Sequence, residues 1–134
     1  MRQRIHLALY YWLPLVAYGL LMFVQSSFPS PESVPDIPYM DKLLHLAAYA
    51  VMGGLFYRAF GTTGLARHPK RLLIASVLAS VLYGLSDELH QHFVPARSAE
   101  LLDLAADTVG SMAGAYGWQA MGGRYRGWFK RPRQ

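Results

Sequence analysis

The sequence predicts an all-α fold: an integral membrane bundle of four helices with both termini cytoplasmic. Three observations carry that expectation. Hydrophobic residues make up 53% of the 134, and the mean hydropathy of +0.15 is high for a small soluble domain. The apolar residues gather into four runs that match, or nearly match, the length of helix needed to cross a bilayer. The charges then sort by the turns between those runs. Eleven of the 13 Lys and Arg residues, all except Lys42 and Arg97, belong to the head, the middle turn with its flanking Arg58, and the tail. All eight acids fall at the opposite ends of the runs. Positive-inside sorting therefore places both termini on the cytoplasmic side.

The elements follow in order. Residues 1–6 form a basic head with Arg2 and Arg4. Residues 7–24 carry no charge and as a helix reach roughly 27 Å, close to the hydrocarbon thickness. A cleaved signal peptide is the rival reading, but the run is longer than a signal core and no small-x-small site closes it. Pro14 predicts a kink. Residues 25–40 contain Pro29, Pro31, Pro35 and Pro38, a spacing that forbids helix. A stiff connector is the plain reading and a lid over a neighbouring site the sharper one. The second span covers about residues 42–60, with Asp41 at its start as a candidate cap. Asp41, His45 and Tyr49 are spaced i, i+4, i+8 and share one stripe. Gly53 and Gly54 permit close approach of another helix.

Residues 61–71 make a basic turn. The third span covers about 72–91. Its apolar part is short, so the helix is expected to continue through Asp87 and Glu88 to Gln91. Ser76 and Ser80 sit four apart, as small interface residues do. Pro95 breaks the chain before the fourth span, about 101–121, in which Asp103, Asp107 and Ser111 repeat every four residues. Gly110 and Gly114 make a GxxxG step. Trp118 and Trp128 suit a membrane–water boundary. With no internal repeat, residues 1–134 read as one domain.

Three helix ends then meet at the outer leaflet. The second span brings Asp41, Lys42, His45 and Tyr49; the third brings Ser86, Asp87, Glu88, His90 and Gln91; the fourth brings Asp103 and Asp107; the loop adds Arg97. Ionisable groups beside a span are costly, which marks them as candidate functional groups. Five acids (Asp41, Asp87, Glu88, Asp103, Asp107) face two fixed cations, Lys42 and Arg97. In a low dielectric the excess is relieved by protonation of an acid, by charging of histidine, or by a divalent cation. The first yields a general acid beside an ionised base. The last would draw on imidazole and carboxylate ligands from His45, His90, His92 and the acids. If the site is catalytic, Asp87 or Glu88 is the base or metal ligand, Asp41 and His45 complete the acid–base set, with His45 as proton shuttle, and Arg97 clamps an anion. A purely structural network tying four helices together is the bland alternative.

Several classes are set aside. The absence of cysteine excludes disulfides, thiolate nucleophiles and sulfur-ligated metals. The net charge of +5 is distributed as membrane orientation demands, which disfavours nucleic acid as a partner. No phosphate-cradling glycine loop or HExxH pair is present. Ser86 and Asp87 are adjacent, so they do not face one another on a helix.

The residues resemble the VanZ-like family of small bacterial membrane proteins. The resemblance rests on D-K-x-x-H-x-x-x-Y at Asp41, Lys42, His45 and Tyr49. It continues with S-D-E-x-x-Q-x-x-x-P-x-R at Ser86, Asp87, Glu88, Gln91, Pro95 and Arg97, then Asp103, Asp107 and Gly110, and covers about residues 7–121. Two positions depart from the family pattern: Ala96 stands where glycine is usual and Asp107 where asparagine is usual. The resemblance implies a multi-pass protein of the bacterial cytoplasmic membrane, with its site on the extracytoplasmic side, in a family associated with glycopeptide resistance. The implied partners are membrane lipids, a lipid-linked cell-wall precursor or a glycopeptide, engaged by binding or by acid–base or metal-assisted hydrolysis or transfer. The implied substrate-binding groups are Lys42, Tyr49, Ser86, Gln91, Arg97, Asp103 and Asp107. A non-catalytic protein that limits antibiotic access, or a structural partner subunit, stands as the alternative.

Overall fold

The computed structural model describes residues 5, 8–28, 38–95 and 100–129, with residue 8 and residues 123–129 described by backbone alone. Every regular element among them is helical. A π-helical turn (Ala8–Trp12) leads into α1 (Leu13–Ser26), followed by α2 (Met40–Phe60), a short 3-10 turn (Gly64–Arg67), α3 (Pro69–Gln91) and α4 (Leu101–Phe129). The proline-rich stretch of residues 29–37, Arg97 and the end of the basic tail lie outside the described residues.

Three segments are long and apolar enough to cross a membrane: Leu9–Ser26, Met40–Phe60 and Pro69–Gln91. The fourth helix is the longest, at 29 residues, but Asp103, Asp107, Gln119 and its glycines dilute its apolar content. The helix ends differ from expectation by a few residues. α3 starts at Pro69 rather than residue 72, because proline at the first helical position lacks only an N–H that has no partner there. α4 runs on to Phe129 rather than stopping at 121.

Around Pro14, where the sequence predicts a kink, the chain changes from π-helical to α-helical. In α-helical register the Tyr10 carbonyl would accept the N–H of residue 14, and proline has none. The chain passes through its π-helical turn at this point. Arg58 Nη2 donates to the Tyr10 carbonyl instead, at 2.8 Å, with its guanidinium 4.4 Å from the Tyr10 ring centroid.

The connectivity is up-down-up-down. α2 and α4 run parallel: Lys42 meets Asp103, His45 meets Asp107, and Gly54 lies against Gly114 and Trp118. α3 runs against both, with Ser80 bonded to Ser111 and Gly84 beside Asp107. α1 runs beside α3, tied by Tyr83 Oη donating to the Gly19 carbonyl at 2.5 Å and by Ser27 Oγ and His90 Nε2 at 3.0 Å. Tyr18 Oη donates to Ala48 O on α2 at 3.0 Å.

Glycine sets the α2–α4 contact. A Cβ on Gly110 would overlap the Leu46 carbonyl, one on Gly114 the Ala50 carbonyl, and one on Gly53 the Ser111 carbonyl. The two backbones therefore touch, which only Gly permits at these positions.

The bundle buries polar groups beside a small apolar cluster of Leu15, Tyr49, Met52 and Ala59, and turns most of its large apolar side chains outward. Ser76, Ser80, Asp107 and Ser111 are fully buried, whereas Leu44, Val51, Ile74, Leu78, Leu82 and Val109 are exposed. A soluble domain of this size buries such leucines and exposes such acids. The inverse arrangement suits lipid, where exposed apolar side chains cost nothing and interior polar groups must find one another.

Candidate functional site

The N-terminal ends of α2 and α4 and the C-terminal end of α3 converge, bringing together side chains far apart in sequence. The interior face of α3 presents Ser76, Ser80, Gly84, Asp87, Glu88 and Gln91, all buried, at steps of three and four residues that keep one face. On α4, Asp103, Asp107 and Ser111 stand on one stripe and are buried. On α2 the stripe descends from exposed Asp41 through half-buried His45 to fully buried Tyr49.

Two subclusters result. In the outer one, Lys42 Nζ lies 2.7 Å from Asp41 Oδ2, 2.6 Å from Glu100 Oε2 and 2.7 Å from Asp103 Oδ1. One ammonium thus pairs with three acids, Asp41 on α2, Asp103 on α4 and Glu100 immediately before α4. Asp41 does not cap α2, as the sequence allowed. The cap position belongs to Tyr39, in the left-handed region at φ 63° with no side-chain bond to the helix, and Asp41 turns to Lys42 instead.

The inner subcluster lies about a turn deeper. His45 Nδ1 and Asp107 Oδ1 are 2.9 Å apart, and the His45 and Tyr49 rings lie parallel with centroids 6.3 Å apart. Gly84 makes room here: a Cβ at that position would stand 2.8 Å from Asp107 Oδ2 and 3.1 Å from the Tyr49 ring. Glu88, one turn along α3, accepts the Glu100 backbone N–H at 3.1 Å through Oε2, tying α3 to the start of α4. Gln91 Nε2 donates to Asp87 Oδ2 at 3.1 Å.

These bonds do not exhaust the polar atoms. Asp87 Oδ1, Glu88 Oε1, Asp107 Oδ2 and the Tyr49 hydroxyl are buried without a hydrogen-bond partner. Buried polar groups are paired as a rule, and an orphan calls for an explanation. Four such orphans gather at one end of the bundle. Two groups of acids and histidine stand close enough to hold a metal ion, His45 with Glu88 and Asp107, and Asp41 with Glu100 and Asp103.

The structure thus gathers Asp41, Lys42, His45, Tyr49, Asp87, Glu88, Gln91, Asp103 and Asp107 at one end. It does not place Ser86 there: its hydroxyl is exposed and donates to its own helix at Tyr83 O, 2.6 Å away. His90 turns toward α1, stacking on Phe23 at 4.7 Å, and His92 packs on Phe93 in the turn. Neither joins the acids. Arg97 lies outside the described residues. Sequence reasoning passed over Glu100 and Gly84. The Glu100 backbone carbonyl accepts the N–H groups of Asp103 and Leu104 while its carboxylate meets Lys42, and a carboxylate three residues before Asp103 was the available signal. Gly84 lies on the Ser76–Ser80 row, where a residue without a side chain marks close approach.

A family model described as VanZ/LLP1 matches residues 2–122. No curated protein and no solved structure matches the chain.

Proposed function

The chain belongs to the VanZ/LLP1 family, and from that premise we propose that it is a four-pass protein of the cytoplasmic membrane with both termini inside. Its acid–histidine site then opens to the extracytoplasmic leaflet and engages the polar headgroup of an envelope lipid or lipid-linked cell-wall precursor. The observation that carries this reading is the set of buried, unpartnered oxygens on Asp87, Glu88, Tyr49 and Asp107 at one end of an apolar-surfaced bundle. A network serving only to hold helices together gains nothing from orphans, because each costs about 1–3 kcal/mol of desolvation. A ligand entering from the membrane plane would satisfy them.

The sidedness follows from charge. Arg58, Arg67, Lys70 and Arg71 lie at the α2–α3 turn, the end opposite the acids, and an Arg- and Lys-bearing turn is retained on the cytoplasmic side. Should the site act on its ligand, Glu88 or Asp87 supplies the base and His45, oriented by Asp107, carries the proton.

The test is lipid retention. Protein extracted from its own membranes in mild detergent is analysed by native mass spectrometry beside Glu88→Gln and His45→Ala. The expected outcome is one headgroup class enriched on the wild type and depleted about tenfold on both variants, which corresponds to roughly 1.4 kcal/mol of binding. The same lipid profile on all three proteins contradicts the proposal.

A further inference from the structure

We propose that His45, Glu88 and Asp107 form a binding site for one divalent first-row transition cation, with Mn2+ or Zn2+ the chemistry that fits. Each residue offers one ligand atom, and the three atoms lie within 4.8 Å of one another. Donor atoms around a tetrahedral ion bound at 2.0–2.2 Å stand about 3.3–3.6 Å apart, so no two atoms of the trio need approach by more than about 1.5 Å for it to close around a cation. One imidazole and two carboxylates, with no sulfur in the chain, favour a borderline or hard divalent ion over a soft one.

Proximity of acids alone would be weak evidence. The stronger observation is what these acids lack. Asp107 is fully buried and Glu88 is 6% exposed, yet Asp107 Oδ2 and Glu88 Oε1 have no hydrogen-bond partner. Asp107 Oδ2 lies against Gly84, one turn from Glu88 on the same face of α3. Gly84 has the smallest possible side chain where a larger one would fill the cradle. His45 Nδ1 and Asp107 Oδ1, 2.9 Å apart, already bring imidazole and carboxylate from two helices to one point.

The neighbouring acid cluster provides the contrast. Asp41, Glu100 and Asp103 are as closely grouped, but Lys42 Nζ already sits among them. That cluster carries its own cation, and the inner one has the oxygens to take one from outside. The inference deepens the headgroup reading and shares its site: a bound dication turns an acid-lined pocket into one that accepts a phosphate-bearing headgroup, which the acids alone would repel.

The experiment titrates Mn2+ into full-length protein in detergent stripped of envelope lipid, with electron paramagnetic resonance counting free ion. The expected result is one saturable Mn2+ per chain, with affinity falling at least tenfold in Glu88→Gln and Asp107→Asn and changing less than twofold in Glu100→Gln. The wild-type spin echo, which needs no variant to fold, carries imidazole nitrogen modulation from the bound ion. Absence of saturable binding, absence of that modulation, or equal loss in Glu100→Gln overturns the cation site. Saturable binding with imidazole modulation in a protein that retains no lipid upholds the site and removes the headgroup reading. Lipid retention in a protein that does not bind Mn2+ does the reverse.

Discussion

Lys42 sits where three carboxylates would otherwise repel one another. Its side chain is 16% exposed, against 61% for Asp41 and 7% for Asp103, so the three pairs are not equivalent. Breaking a largely buried pair by removing one partner leaves an uncompensated charge and is strongly destabilising, whereas an exposed pair contributes about 0–1 kcal/mol. Lys42→Met is therefore expected to lower stability by roughly 2–4 kcal/mol in a detergent thermal melt, and Asp41→Asn by less than about 1 kcal/mol. Equal losses would mean that Asp103 does not depend on Lys42. At this scale the sequence was a good guide wherever one helix supplies the whole pattern. The stripe of Asp41, His45 and Tyr49 was legible because a period of 3.6 dictates it. The partners of His45 and Lys42 were not, because they depend on how one helix slides along another. Ser86 shows the converse: adjacent to Asp87 in the motif, it projects to the outside because successive helical residues diverge by about 100°.

Helix against helix, the register that brings His45 to Asp107 is set by glycine. Gly110 and Gly114 let the α4 backbone touch α2 at Leu46 and Ala50, and the acids fall into place one turn above. Gly114→Ala is expected to force α2 and α4 apart and to cost roughly 2–4 kcal/mol by thermal melt, since the added carbon overlaps backbone that cannot rotate aside. Gly117→Ala, with nothing within 4 Å of its added carbon, is the control and should be neutral or stabilising by up to about 1 kcal/mol through helix propensity. The GxxxG step was visible in the sequence, but which helix it met was not. Pro14 and Arg58 form a second coupled device. Arg58→Ala exposes the Tyr10 carbonyl that Pro14 leaves without a donor and should destabilise by about 1–3 kcal/mol. Pro14→Ala restores an N–H, so in the Arg58→Ala background it should recover part of that loss, whereas in the wild type it should gain less. An additive double-mutant cycle would show that the two residues act independently. Pro14 marks the irregularity in the sequence; the arginine that bonds the Tyr10 carbonyl lies 44 positions beyond Pro14 and carries no local signature.

For the molecule as a whole, composition and charge order foretold an all-helical bundle with acids at one end and bases at the other. The described residues have that distribution: six acids gather where three helix ends meet, and Arg58, Arg67, Lys70 and Arg71 lie at the other end. The long apolar runs were legible because a bilayer imposes length and hydropathy together. The fourth helix was harder to read, since a helix that turns Asp103 and Asp107 inward need not be apolar throughout. The polar interior itself was inferable only from the number of acids, because burial belongs to the packed state. The whole reading depends on two separate helices, α2 and α4, bringing His45 and Asp107 together within the membrane-embedded protein. Solid-state NMR dipolar recoupling in lipid bilayers, with 15N-labelled histidine and 13C-labelled aspartate, measures that approach without altering the site. The His45 ring nitrogen should lie within about 4 Å of the Asp107 carboxyl carbon, as an N···O distance of 2.9 Å requires, and the signal should vanish in Asp107→Asn prepared with the same labels. A fully folded protein in bilayers with no histidine–aspartate coupling would contradict the site from which everything else was built.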